Sequence, residues 1–281
     1  MNEAVLYEMN GGIATITLNR PEQLNSMSPD LLGGALTALE EASSNDAVRI
    51  VVLTGAGRAF CAGGDLGGMA EGNPGGLSGD GSTQTLIHQL RHAMMTSQLL
   101  HDMPKVTIAA INGPCAGAGL AWACACDIRI CSERAVFNTA FATAGLSGDF
   151  GGTWTLSRIV GPAKARELYL LAEKFDSFEA QRIGLVARRV PDERLMEEVF
   201  TVAQRLLSFA PLTLPSIKAN LNDAAMMTLA QLMDARKWRL SSWWQILRQK
   251  PYEHLGVLEL TIHPRDCGLD SQFVLAQFLI S

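Results

Sequence analysis

The stretch from Lys105 to Cys131 constrains the fold more than any other part of this chain. Its first apolar run, Val106 to Ile111, has the composition of a buried strand and leads into a turn of small residues. The chain then passes through GAG, residues 117 to 119, into an apolar helix-like segment, and a second strand follows from Asp127. A helix that starts on a glycine turn presents free backbone N–H groups, an arrangement that favours an anion or an oxyanion.

A second glycine-rich loop follows another strand-like run. The β-branched run Val48 to Thr54 is typical of a buried strand, and GAGRAFCAGGDL, residues 55 to 66, comes directly after it. One N–H group from each glycine loop could converge on a single oxygen atom, and such a pair forms an oxyanion hole. A glycine turn after a strand is more often only a tight turn, so the function rests on the two loops together.

The remaining pattern predicts an α/β core followed by helices. Apolar runs on both sides of Asn10-Gly11-Gly12 predict a hairpin, and Ser28 followed by Pro29 predicts a capped helix. Strands alternate with helical segments up to about residue 190, with predicted helices over 85–100, 153–160, 163–172 and 177–184 and predicted strands over 135–139 and 185–190. Further helices are predicted from 192 to about 209 and over 215–247.

Composition and charge exclude several classes of function. The net charge of −5 and the lack of a long Lys/Arg run argue against a nucleic-acid partner. No apolar run reaches the length of a membrane span, and the first residues lack the pattern of a signal peptide, so we expect a cytoplasmic protein with no membrane partner. Six cysteines without a CxxC pair are typical of buried, reduced thiols.

Several cofactor and nucleophile motifs are missing. The glycine loops do not match the dinucleotide-binding pattern in register, and the chain has neither a Walker A motif nor a GxSxG nucleophile elbow. His88 and His92 stand four residues apart on a predicted helix, but no HExxH context or third ligand accompanies them. We therefore expect no metal site, and no cofactor apart from one carried by the substrate.

Asp149 is the ionisable residue that most invites a functional interpretation. It stands in an otherwise uncharged loop between Gly148 and Phe150, just before two glycines and a predicted helix. Local sequence leaves two hypotheses open. The carboxylate either caps the helix or supports its first turn, or it is an acid/base group of the site.

Five segments follow one another along the chain: LNRPEQLNSMS, VVLTGAGRAFCAGGDL, AAINGPCAGAGLAWACACDIRI, GLSGDFGGTWTLSRIVG and AQRIGLV. In this order and spacing, from about Leu6 to about Ala210, they resemble the crotonase, or enoyl-CoA hydratase/isomerase, superfamily. The resemblance implies a spiral of ββα units, a homo-trimer or dimer of trimers, and an acyl-CoA thioester substrate, with coenzyme A as part of that substrate. It also implies a thioester enolate held by two backbone N–H groups.

The resemblance assigns roles to individual residues of this chain. Gly64 and Ala118 should donate the two N–H groups. Contacts to CoA or the acyl group are implied for a larger set, which is Gln23, Leu24, Ser26, Ala62, Gly63, Asp65, Leu66, Gly117 and Phe141. Beyond about Lys237 the chain departs from the family pattern, so the predicted organisation is a core over residues 1–200 and a helical oligomerisation region with a divergent tail over 201–281.

Two departures bear on the reaction. The places of the two glutamates of the family's hydratases fall on Ala121 and Phe141, whereas Asp149 resembles the catalytic Asp of ring-epoxide and dienoyl-CoA isomerases. The expectation is therefore an isomerase-type enzyme in which Asp149 transfers the proton, and Phe141 favours a bulky or cyclic acyl group. Three alternatives remain: a hydratase with an unusual acid/base, an enzyme that forms or breaks carbon–carbon bonds, and an acyl-CoA binder that has lost catalysis.

Overall fold

A six-stranded sheet forms the centre of the structure, a computed structural model that describes residues 4–65 and 82–234. The first two strands in spatial order pair antiparallel, and each further neighbouring pair is parallel. In that order the strands are β1 (Val5–Asn10), β2 (Ile13–Leu18), β3 (Ile50–Gly55), β4 (Val106–Ile111), β6 (Ile128–Ser132) and β9 (Arg188–Val190). The hairpin and the central strands lie where the sequence predicts them.

A small second sheet was not predicted. It consists of β5 (Cys115–Ala116), β7 (Val136–Asn138) and β8 (Phe175–Asp176), in that order. The predicted turn of small residues after β4 thus contains a strand. Its strand β7 lies within the strand predicted over 135–139, whereas β5 and β8, of two residues each, are too short to show the alternation that identifies a strand in sequence.

Nine helices with assigned bounds accompany the sheets in the described part of the chain, and most lie where they were predicted. The segment 85–100, predicted as one helix, is two helices with a break at Met94. The bounds are α1 (Pro29–Ser44), α2 (Thr83–Ala93), α3 (Met95–Asp102), α4 (Ala118–Ala125), α5 (Gly152–Val160), α6 (Pro162–Leu171), α7 (Ser177–Arg182), α8 (Leu195–Leu207) and α9 (Thr213–Ala224). Short 3-10 turns cover 21–23, 142–144 and 192–194.

Helix caps follow from the local sequence. At the start of α1 the Ser28 hydroxyl accepts a hydrogen bond from the N–H of Leu31 at 3.2 Å, and Pro29 occupies the first helical position, as predicted. Asp176 caps α7 in the same way by accepting from the N–H of Glu179 at 2.8 Å.

The sheet is buried on both faces, which explains its continuous apolar runs. Along β3, Val51 and Leu53 belong to a large core cluster with α1, α3 and α4, whereas Ile50 and Val52 belong to a second cluster with α8. Parallel strands covered on both sides lose the alternation of polar and apolar residues. All eight residues of α4 are buried, so this short helix lies inside the large cluster.

The helical end continues from the sheet core. The predicted boundary after residue 200 falls within α8, whose buried residues Val199 and Val202 lie on either side of it. The oligomerisation role of the region from residue 201 stays a prediction. Residues from 235 onward, including the tail from Lys237, lie outside the described residues, as do residues 66–81.

A buried ion pair attaches α9 to the core. The Lys218 ammonium donates to Oδ2 of Asp127 at 2.8 Å and to the carbonyl oxygens of Leu100 and Lys105 at 3.1 and 3.0 Å. The same Asp127 oxygen accepts from the backbone N–H of Thr107 at 2.8 Å. All three ammonium protons therefore have acceptors, as burial of a charge requires.

Breaking this pair from one side should destabilise the protein strongly. In Lys218→Met the Asp127 carboxylate keeps its place but loses its counter-charge, and removing one partner of a buried pair costs about 3 to 5 kcal/mol. We expect a loss near the lower limit, because the Asp127 side chain is 26% exposed. Urea unfolding followed by circular dichroism measures the change.

The matched control is Arg194→Met, which removes a cation from the exposed pair with Glu197. Both of those side chains are more than half exposed, at 59% and 66%, so the loss should stay below about 1 kcal/mol. Equal losses in the two variants would contradict the role given to Lys218.

Candidate active site

The two glycine loops leave the sheet side by side. Strands β3 and β4 are parallel neighbours, with Ile50 opposite Val106, so the loops that follow them emerge at the same sheet edge. Cys61 of the first loop and Cys115 of the second form an isolated parallel bridge, and the N–H of Ala116 donates to the Cys61 carbonyl at 2.9 Å. The backbones of the two loops are thus hydrogen-bonded to each other.

Glycine is required where the loops touch. Gly63 has φ +91°, and a Cβ built there would lie 2.8 Å from the carbonyl oxygen of Ala116. A Cβ at Gly119 would lie 2.7 Å from Cβ of Cys61 and would overlap the Cys61 carbonyl oxygen. Any larger residue at these positions would push the loops apart.

Two backbone N–H groups remain available at this contact. Ala118 is the first residue of α4, whose N-cap is Gly117 with φ +51° and no side-chain cap. Among the described residues, no protein acceptor takes the N–H of Ala118 or of Gly64. The N–H of Ala118 also carries the positive end of a helix dipole. These are the two N–H groups predicted to bind the enolate oxygen, and that role stays a prediction.

Both donors face a cavity of about 140 Å³. Six of the predicted site residues line this cavity: Ala62, Gly64, Gly117, Ala118, Phe141 and Asp149. The remainder of its lining, which sequence reasoning did not identify, is Met27, Ala140, Thr143, Ala144, Leu146 and Phe150. Met27 pairs with Gly64 through an isolated bridge, a long-range contact for which the sequence carries no signal.

The predicted CoA-contact residues near position 24 lie beside the first loop. The N–H of Ala62 donates to the Leu24 carbonyl at 3.0 Å, and the N–H of Met27 donates to the Gly63 carbonyl at 2.8 Å. Arg20, which was not predicted, donates to the Ser26 carbonyl at 2.6 Å and lies 3.4 Å from the carboxylate of Asp65.

The structure therefore gathers most of the predicted contact set without placing all of it in the cavity. Gly63, Asp65, Leu24 and Ser26 stand around the first loop, Gln23 is exposed, and none of these lines the cavity. Leu66 lies outside the described residues.

Asp149 is presented by a loop with an unusual backbone. Gly148, Phe150 and Gly151 have φ of +101°, +49° and +72°, so Asp149 stands in a left-handed turn before α5. Its side chain is half-buried, and its Oδ1 is fully buried with no hydrogen-bond partner in the part of the chain that the structure describes. Burial raises the pKa of this carboxyl from 3.8 to about 6.

The capping hypothesis for Asp149 is wrong. The N-cap of α5 is Gly151, and no side chain makes a capping hydrogen bond there. Asp149 contributes only its carbonyl oxygen, which accepts from the N–H of Gly152 at 3.1 Å. Asp149 therefore lines the cavity and does not cap the helix.

The two positions of the hydratase glutamates differ in this structure. Phe141 lines the cavity and stacks on Tyr169 with ring centroids 6.1 Å apart. Ala121 does not line the cavity, because Gly152 of α5 covers it: a Cβ at Gly152 would lie 3.1 Å from Cβ of Ala121. Asp149 is thus the one carboxylate among the described residues that line the cavity.

Other reactive groups near the cavity offer no alternative. Burial raises the pKa of the Cys61 thiol to about 12, so it is not a thiolate at neutral pH. His88 contacts the amide of Gln84 at 3.0 Å. In the described ranges, no group of three or more His, Cys, Asp or Glu side chains could hold a metal ion, and no helix there is long and apolar enough to span a bilayer.

Comparison with known sequences identifies the family. The model of the enoyl-CoA hydratase/isomerase family matches residues 8–250. A 1,2-epoxyphenylacetyl-CoA isomerase of Escherichia coli (strain K12) is 34% identical over 242 residues, 84% of this chain and 88% of that relative. A "probable enoyl-CoA hydratase" of Rhodobacter capsulatus is 40% identical over 189 residues, 67% of this chain and 69% of that relative. The chain belongs to the enoyl-CoA hydratase/isomerase family, within the crotonase superfamily.

Solved structures of named family members share the fold. One is a protein of Thermobifida fusca YX in complex with CoA, which its name assigns to the enoyl-CoA hydratases. It superposes with a TM-score of 0.79 at 31% identity, over 88% of this chain and 95% of that one. An enoyl-CoA hydratase of Bacillus anthracis gives 0.79 at 28% identity, over 88% and 92%. The predicted crotonase-like α/β fold is confirmed.

Adding one methyl group at the contact of the loops should be costly. In Gly119→Ala the new Cβ would overlap Cys61, a backbone clash that can be relieved only by moving the first loop away from α4. Overpacking of this kind costs about 1 to 3 kcal/mol. We expect a loss of unfolding free energy near the upper limit of this range, and urea unfolding measures it.

Gly33→Ala is the matched control. Gly33 lies within α1, is exposed, and a Cβ there would meet nothing within 4 Å. Because alanine favours a helix interior over glycine, this variant should gain about 1 kcal/mol. A neutral Gly119→Ala variant would show that the loops are not in rigid contact.

Proposed function

We propose that this protein is an acyl-CoA isomerase that moves a double bond through a thioester enolate. The observation that carries the proposal is the meeting of three groups in one cavity. Asp149 brings a carboxylate with a free oxygen, and Gly64 and Ala118 bring two N–H groups without a protein acceptor.

The reaction needs one proton to move. The Asp149 carboxylate removes a proton from a carbon of the acyl group, and the electron pair moves into the thioester to form an enolate. The N–H groups of Gly64 and Ala118 stabilise the negative enolate oxygen, and losing one such donor typically costs about 3 to 4 kcal/mol of transition-state stabilisation. The protonated carboxyl then returns the proton to another carbon, so the double bond moves and no atom is added.

The surroundings of Asp149 suit both halves of this cycle. An ordinary aspartate holds its proton too weakly to accept one from carbon, whereas burial raises the pKa of Asp149 to about 6. A general acid/base works best when its pKa lies near the operating pH, because it must both take and give a proton. Among the described residues, no protein hydrogen bond to Oδ1 competes with the substrate.

The thioester of coenzyme A is the proposed substrate class. The Thermobifida fusca neighbour is in complex with CoA, and the Escherichia coli relative is named for a CoA ester. The CoA part of the substrate would lie along the backbone of Leu24, Ser26 and residues 62 to 65. Beyond the CoA of the substrate, we propose no cofactor.

Assembly and location belong to the same proposal. We propose a homo-trimer or a dimer of trimers, supported by large apolar side chains exposed on α9, among them Ile217 and Leu221. A cytoplasmic location is supported by five free, buried cysteines among the described residues.

Hydration is the rival reaction, since several relatives are named hydratases. A bound water needs two to four polar partners. The Thr143 hydroxyl already donates to the Ala140 carbonyl at 2.8 Å, and the two N–H groups would hold the thioester oxygen. In hydration, Asp149 would have to activate the water and also transfer the proton to or from carbon. Because one carboxylate would serve both steps, the lining favours isomerisation.

Asp149→Asn should abolish turnover and leave ester binding within about twofold of wild type. The amide has the size of the carboxyl but cannot accept a proton from carbon. Linear and cyclic enoyl-CoA esters are incubated with enzyme in deuterated water, and mass spectrometry and NMR follow deuterium uptake and the position of the double bond. Wild type should incorporate deuterium and move the bond without gaining the mass of water.

Asp176→Asn is the control for this substitution. Asp176 caps α7 away from the cavity, and asparagine caps helices as well as aspartate does. Its activity should equal that of wild type. A product with one added water would favour hydration, and unchanged turnover in Asp149→Asn would refute the proposed base.

The pH dependence of kcat/KM should report Asp149. Because the free enzyme must hold this residue as a carboxylate to accept the first proton, kcat/KM should rise with pH and level off above an apparent pKa of about 6. A profile measured between pH 4.5 and 8 tests this. A flat profile, or a fall through pH 6, would contradict the assignment.

The stability of the protein should depend on the same titration of Asp149, but the stabilisation should decrease with rising pH, whereas kcat/KM should increase. The folded pKa lies above the unfolded value of 3.8, so the folded state retains a proton that the unfolded chain releases. Asp149 therefore favours the fold most below pH 4 and loses that contribution as pH rises through 6. The difference in Tm, Asp149→Asn minus wild type, should increase over this range.

A further inference from the structure

A second cavity of about 530 Å³ lies behind the catalytic one. Its apolar lining includes Met94, Trp154, Met226 and Met227, from the break between α2 and α3, from α5 and from the segment after α9. Among the described residues, Phe150 is the one residue that lines both cavities. Phe150 therefore stands between them.

We propose that Phe150 sets the size of the acyl group that this site accepts. The ring closes the catalytic cavity and confines the substrate to a short or single-ring acyl-CoA, and the space behind it would otherwise receive a longer chain. This inference rests on the proposed function, because it assumes that the cavity beside Asp149 holds an acyl group.

The volumes support a compact acyl group. An apolar cavity of about 150 Å³ holds one benzene molecule. The catalytic cavity has about 140 Å³, so a single ring or a chain of a few carbons fills it. The cavity behind Phe150 is nearly four times larger, and its methionines are side chains that adapt to ligands of different shape.

The partition is held rigidly. Phe150 is only 4% exposed, and its ring meets the ring of Trp122 edge to face with centroids 6.0 Å apart. The Trp122 indole N–H donates to the Thr96 hydroxyl at 2.7 Å, and that hydroxyl donates to the Ala93 carbonyl at 2.7 Å. The Phe150 ring is thus packed against a buried, hydrogen-bonded tryptophan that lines neither cavity.

The backbone of Phe150 indicates that its position has a function. Its φ of +49° lies in the left-handed region, which is unfavourable for a bulky residue and costs about 1 to 3 kcal/mol. Glycine would adopt this conformation without strain. Phe150→Gly therefore removes the partition while it relaxes the backbone, which makes it the variant of choice, with Phe150→Ala as a second one.

The test measures binding and turnover for a series of trans-2-enoyl-CoA esters from four to sixteen carbons. Wild type should bind and turn over the four- and six-carbon esters best. Phe150→Gly should gain at least tenfold in affinity for the twelve- and sixteen-carbon esters relative to the four-carbon ester, measured by calorimetry. Phe150→Ala should gain in the same direction.

Leu146→Ala is the matched control, because Leu146 lines the catalytic cavity but not the second one. It enlarges the cavity without joining the two, so it should not acquire the preference for long chains. In the Phe150→Gly background, Met94→Trp refills the second cavity and should reverse the gain.

Affinity separates this inference from the proposed function. If long esters bind to wild type as well as short ones, or if Phe150→Gly brings no gain, the partition is refuted whatever the enzyme catalyses. If the affinities change as expected but no ester exchanges deuterium, the partition stands and the isomerase proposal fails.

Discussion

The contact between the two glycine loops is the constraint on which the rest of the site depends. Parallel pairing of β3 with β4 brings the loops to one edge, and the Cys61–Cys115 bridge brings their backbones together. Because Gly63 and Gly119 have no Cβ, the loops approach until the N–H groups of Gly64 and Ala118 face one cavity. Backbone donors fixed in this way need no reorganisation when charge develops on the substrate, which is the main source of their catalytic effect.

Much of this arrangement could be predicted from the sequence, because it depends on strong local signals. The run before Gly117 and the β-branched run before Gly55 identify buried strands, and the helix at Ala118 starts where the small residues predict it. The small second sheet, the pairing of Met27 with Gly64 and the partition at Phe150 depend on contacts between distant segments. Such contacts leave no periodic pattern in any one segment, so the sequence could not reveal them.

The role of Asp149 shows why local sequence left two hypotheses open. An aspartate before a helix usually caps it, and nothing in the residues 148 to 152 excludes that role. The structure decides against it, because Gly151, in a turn with positive φ angles, is the N-cap and Asp149 lines the cavity. Strained backbone at this place is consistent with a functional site, where packing of neighbours such as Phe150 on Trp122 offsets the cost.

The same apolar surroundings bear on the pKa of Asp149 and on the reaction proposed for the site. Burial in a cavity whose lining includes Phe141, Phe150 and Met27 raises the pKa of the Asp149 carboxyl to about 6. These apolar side chains also offer a water molecule few hydrogen-bond partners, which supports the proposal of isomerisation over hydration of the enoyl-CoA substrate. At Ala121, where the resemblance to the family's hydratases implies a glutamate, the methyl group lies next to Gly152 of α5 and does not line the cavity. Asp149 is therefore the one carboxylate among the described residues that line this cavity, and the proposed reaction must use it for every proton transfer.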